Sequence, residues 1–88
     1  MTQDEFEQAR MTGGYGVPKQ VHFAANSLSA THTHDQVSYV YVVEGTFILN
    51  TAKGAERFGP GETCILDRNI EHAEEAGPEG ATILVARR

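Results

Sequence analysis

The chain has 88 residues, of which 40% are hydrophobic and 22% charged, and twelve acidic against seven basic residues give a net charge of −5. That length allows one small domain with a single core, burying about 60% of the unfolded chain's surface, and the composition is that of a soluble globular chain. The acidic balance supplies no counterion-releasing patch for a phosphate backbone, no apolar run reaches the ~18 residues needed to cross a bilayer, and the lone Cys64 excludes an intrachain disulfide or a multi-cysteine zinc site.

MTQDEFEQAR opens the chain with an acidic, polar stretch that has neither the basic start nor the apolar middle of a secretory signal, so a cytoplasmic location is expected. Thr2 followed three residues later by Glu5 is a capping-box pattern, and Phe6 and Ala9 form the apolar edge of a short helix ending near Arg10. TGGYGVP then breaks the helix.

From Lys19 onward the chain reads as β. Val21, Phe23 and Ala25 alternate as in a half-buried strand, and Leu28 to Thr31 suggests another after the Asn26-Ser27 turn. Ser38 to Val43 is rich in Val and Tyr, Glu44-Gly45 is a turn or bulge, and TFILN follows. Further strands are expected around Glu56 to Phe58, in TCIL, over Glu71 to Ala76 and in ATILVA, with turns at Gly59-Pro60-Gly61 and Gly77-Pro78-Glu79-Gly80. Some seven or eight short strands separated by turn signals predict an all-β sandwich or barrel, with 1–88 forming one domain: an N-terminal segment over 1–18 and a barrel over 19–88.

The candidate site lies in THTHDQVSYVYVVEG, Thr31 to Gly45. Side chains two apart in an extended chain point to one face, so His32 and His34 send both imidazoles into one space. His72, in NIEHAEE, is the candidate third ligand, and imidazole nitrogens suit Zn, Fe, Ni, Cu or Mn rather than Ca or Mg. Gln36 and Ser38 continue the same parity and are candidates for orienting a substrate or water.

Two motifs together resemble those of the cupin superfamily. HxH with Gly45 in register and YVVEG at its end resembles the first cupin motif, and PGETCILDRNIEH, with Gly61 and His72, resembles the second. The resemblance spans Val21 to Ala86. It implies a double-stranded β-helix, or jelly-roll, barrel with a divalent transition metal (Zn, Fe, Ni or Mn) held by His32, His34 and His72. It also implies a small-molecule ligand in the barrel, served either by a metal-dependent enzyme or by a non-catalytic regulatory module. The family's glutamate falls on Ser38, so the usual carboxylate ligand is missing from its place.

Val37, Tyr39, Tyr41 and Val43 lie opposite Ser38, Val40 and Val42, so this strand is apolar on both faces and needs a cover. The expected cover is a second copy of the chain in a homodimer, the alternative being the segment around Phe6 and Tyr15. His22 reads as a solvated strand histidine, and Glu71, Glu74 and Glu75 as an acidic edge, one of which could hold an imidazole N–H. Cys64 reads as a buried, inert thiol.

Overall fold

A computed structural model describes residues 1–88. One helix, α1 (Gln3–Thr12), precedes five antiparallel strands: β1 (Lys19–Phe23), β2 (Ser38–Thr51), β3 (Gly54–Phe58), β4 (Thr63–Leu66) and β5 (Ala73–Arg87). The sheet order is β1-β5-β2-β3, with β4 pairing to the first half of β2. The capping box is formed: Glu5 N–H donates to Thr2 Oγ1 at 3.2 Å and Thr2 N–H to Glu5 Oε1 at 2.7 Å. It satisfies two of the N–H groups that a helix start leaves without partners.

The strand count differs from expectation because four of the short strands are joined in pairs. Ser38 to Val43 and TFILN are one strand of 14 residues, and Glu71 to Ala76 merges with ATILVA into one of 15. The expected turns survive as irregularities within them. Val42 pairs with Ile83 and Glu44 with Thr82, so β2 carries one extra residue; Gly45 pairs with Ala81 and Phe47 with Ala76, so β5 carries the larger excursion through Gly77-Pro78-Glu79-Gly80. Both irregularities meet at Gly45, which has φ +78°, and a Cβ there would lie 2.1 Å from the Gly80 carbonyl oxygen. Only glycine allows the two backbones to come that close.

These bulges decide which residues face the core. Val40 and Val42 point inward before the bulge, and Phe47 and Leu49 after it; on β5, Ala76 gives way to Ala81, Ile83 and Val85. An uninterrupted strand keeps one parity, so each bulge reverses it and lets a single long strand serve both halves of the barrel.

The expected strand at Leu28 to Thr31 is reduced to isolated bridges, Leu28 with Glu75 and His32 with His72. The reason lies in Ser29, whose hydroxyl accepts the Glu74 N–H at 2.9 Å and so takes a donor the ladder needs. The segment still runs extended beside the start of β5.

A second buried cluster lies outside the barrel: Phe6, Tyr15, Val37, Tyr39, Tyr41 and Ala86. Phe6 is fully buried, its ring 4.8 Å from that of Tyr39 and 5.2 Å from that of Tyr41. Of the two covers expected for the tyrosine stripe, the chain's own segment around Phe6 and Tyr15 packs on it. Full burial of a phenylalanine contributes about 1.5–3 kcal/mol, enough to hold a three-turn helix on the sheet. The first residue is tied down as well: the Met1 amino group donates to Gly61 O at 3.0 Å and Tyr41 Oη–H to Met1 O at 3.3 Å.

Candidate metal centre

His32 and His34 come from the extended segment that leads into β2, and His72 and Glu74 from the residues that start β5. The segments are locked together by the His32–His72 bridge, in which each residue's N–H donates to the other's carbonyl, at 2.9 and 3.0 Å. The His34 carbonyl accepts Asn69 N–H at 2.7 Å, tying the loop before His72 to the same place. The three imidazole rings consequently cluster with centroids 4.4 to 5.1 Å apart.

Glu74 completes the group. Its Oε1 lies 2.8 Å from His32 Nε2, 3.3 Å from His72 Nε2 and 3.8 Å from His34 Nε2. One ligand atom from each of the four residues falls within 4.8 Å of all the others, so the tetrad could hold a metal ion.

The donor chemistry fits that use. His32 Nδ1–H donates to Ala30 O at 2.7 Å and His72 Nδ1–H to Ile70 O at 2.9 Å. Those bonds assign the ring proton to Nδ1 and leave Nε2 with a lone pair aimed at the centre, the arrangement that orients metal-ligating histidines. At the 2.8 Å His32–Glu74 contact a proton has to bridge nitrogen and oxygen, and a cation would take its place.

The electrostatics of the rings differ with their surroundings. The Ala30 carbonyl, against a smaller opposing effect of burial and with help from Glu74, holds His32 above the ordinary histidine range. Burial pushes His34 down, and Arg87 together with the two neighbouring imidazoles pushes it further the same way. His72 is the buried member, 2% exposed.

The tetrad opens on a narrow cavity whose wall is mostly apolar and includes Val40, Phe47, Leu49 and Ile83. Ser38 faces into it, 3% exposed, and its Oγ accepts Arg87 Nε–H at 3.1 Å. Gln36 does not reach this cavity; it is exposed and lines a separate groove with Lys19 and Arg87. His22 stands outside the cluster, its Nδ1 3.1 Å from Thr82 Oγ1. Cys64 lines the cavity as a thiol that burial pushes up to about 12.

The expected acidic edge is split three ways. Glu71 is exposed, Glu75 accepts from Asn50 Nδ2 at 3.1 Å, and Glu74 turns inward among the histidines. The signal that marks Glu74 is the one that links His32 to His34: it follows His72 by two residues, on the same face of an extended chain.

Comparison with solved structures decides the fold. An RmlC-like cupin from Shewanella frigidimarina superposes with a TM-score of 0.68 at 20% identity, over 77% of this chain and 60% of that one. The fold is that of the cupins. The same cupin core is shared with the polyketide cyclase RemF of Streptomyces resistomycificus (TM-score 0.65, 26% identity, 77% of this chain and 51% of that). It is shared too with Bacillus subtilis oxalate decarboxylase, a protein with Mn(II) centres (TM-score 0.70, 19% identity, 77% of this chain and 19% of that). The chain spans less than two thirds of each of these three structures. No family model and no curated protein matches the sequence.

Proposed function

We propose that this cupin binds a divalent transition metal, of the Zn, Fe, Ni or Mn class, through His32, His34 and His72, with Glu74 supplying the carboxylate that Ser38 cannot. The observation that carries this reading is the convergence of three Nε2 atoms on one Glu74 oxygen, with two of the rings held in the correct tautomer by backbone carbonyls. A divalent ion so held supplies Lewis acidity at one end of a largely apolar cavity. That combination suits a metal-dependent enzyme of dioxygenase, isomerase or lyase type acting on a small anionic or enolisable substrate.

The test is elemental analysis of protein purified without a histidine tag and then loaded in turn with Mn, Fe, Ni and Zn. Close to one equivalent is expected for the wild type and none for His32→Ala, His34→Ala or His72→Ala. A wild type that retains no metal under any loading would refute the reading.

One observation favours a second reading, a non-catalytic binding module. Outside the tetrad the cavity offers only Ser38, Arg87 and the Cys64 thiol, and a thiol pushed up to about 12 is not poised to exchange protons near neutrality. Oxygen uptake or turnover by the Fe(II)-loaded protein on diketones and small acids supports the enzyme. Thermal stabilisation by the same compounds without turnover supports the module.

A further inference from the structure

Arg87 is the one lysine or arginine facing the cavity that holds the three histidines and Glu74, and no side chain neutralises it there. It continues the inward row of Ile83 and Val85 along β5 and pairs across to Ser38 at the start of β2. Its Nε–H donates to Ser38 Oγ at 3.1 Å. No carboxylate lies in ion-pair reach of it, although the chain carries twelve acidic residues, and the nearby Glu74 is engaged by the three histidines. A half-buried guanidinium without a counter-charge is unfavourable, and the protein tolerates one here in a chain of net charge −5.

Arg87 also lines a second, polar groove, together with Lys19 and Gln36. Arg87 therefore stands between the groove and the tetrad, and the groove brings a second cation, Lys19, which also has no carboxylate partner. Ser38 occupies the Nε–H and leaves the paired Nη donors to a planar group with two oxygens, the match a carboxylate makes with arginine. The apolar wall beyond leaves little for a tetrahedral oxyanion to bond with.

We propose that Arg87, held in position by Ser38, is the anchor for the carboxylate of a small organic acid, which reaches the cavity past Lys19 and Gln36 and is presented to the tetrad. This rests on the metal-centre reading for its catalytic meaning, though not for the binding itself. The cavity corner where cupin resemblance would put a glutamate is thereby occupied by a serine–arginine pair of opposite charge character, while the acid has moved to Glu74 on β5.

The test is calorimetric titration of acetate, malonate, malonamide and inorganic phosphate into wild type, Arg87→Met, Arg87→Lys and Lys19→Met, each with its metal content measured and each repeated after chelation. Malonate is expected to bind the wild type, malonamide is not, and Arg87→Met is expected to weaken malonate at least about tenfold with metal content unchanged. Arg87→Lys keeps the charge without the fork, so a loss of several-fold is expected; it decides the matter if Arg87→Met does not fold. Lys19→Met is expected to weaken binding less than Arg87→Met does. Equal malonate affinity in wild type and Arg87→Lys, no carboxylate binding by the wild type, or tighter binding of phosphate than of malonate would each overturn the proposal. A wild type that takes up no metal but still binds malonate through Arg87 would overturn the metal-centre reading and leave this one standing.

Discussion

His32 and His72 lie 40 residues apart in sequence, yet each donates its backbone N–H to the other's carbonyl, at 2.9 and 3.0 Å. The two rings are consequently placed by a backbone bridge rather than by side-chain contacts alone. Substituting either imidazole is expected to leave the bridge and to remove the ligand. For wild-type protein in metal at about 100 times its Kd, the melting transition should show about 2.7 kcal/mol of added stability. His32→Ala and His72→Ala should show none, in a thermal melt followed with and without chelator. Metal-free His72→Ala is also expected to be the less stable of the two, because His72 is 2% exposed.

Glu74 and Glu75 are neighbours with different duties, one turned to the histidines and the other bonded to Asn50. Glu74→Gln keeps the size of the side chain and removes the charge. It is expected to weaken metal binding by more than the roughly 10–100-fold that loss of an outer partner costs, whereas Glu75→Gln should stay within about twofold. Competition against a chromophoric chelator measures both.

Phe6 is fully buried against Tyr39 and Tyr41. Phe6→Ala is expected to cost about 3–5 kcal/mol, a large part of the roughly 5–15 kcal/mol available to a small domain. With α1 loosened, the tyrosine stripe is exposed, so the variant should also self-associate more strongly than wild type. Urea denaturation and sedimentation report the two effects separately; a stable, unassociated variant would show that the stripe does not need its cover.

Cys64 is held up at about 12 from an ordinary value of 9.0, mainly by burial, with Glu56 and Glu74 adding to it. The sign follows from the raised value: the folded state keeps the proton, so its contribution to stability is present below the unfolded-state value and is lost as pH rises from there towards the folded one. Stability is expected to fall across the alkaline range less steeply in Cys64→Ala than in wild type. In native protein at pH 8 the thiolate fraction is about 10⁻⁴, so a disulfide reagent should label Cys64 slowly, and rapidly once denaturant is added.

Much of this was legible in residue patterns. Thr2 and Glu5 mark the helix start because capping is a local bargain between four residues, and the motif pair around His32, His34 and His72 marks the barrel and three of the four clustered ligand atoms. Glu74 was within reach of the same two-residue rule. What obscured it was its company: three glutamates beside one histidine look alike until a strand's direction and depth are known.

By itself, then, the sequence determined the class of fold, the capped helix and the His32–His34 pair, since each follows from spacing and composition over a few residues. His72 joined the pair through the resemblance to paired cupin motifs. The tertiary structure alone decided the rest. Bulges at Gly45 and opposite it reverse strand parity, a relation between β2 and β5 that neither strand carries alone. Phe6 covers the tyrosine stripe because α1 docks on β2, a contact between segments over thirty residues apart. Ser38 and Arg87 meet only because the first residue of β2 pairs with the last of β5, and that long-range register brings a cation to the end of the cavity that local pattern had assigned to no charge at all.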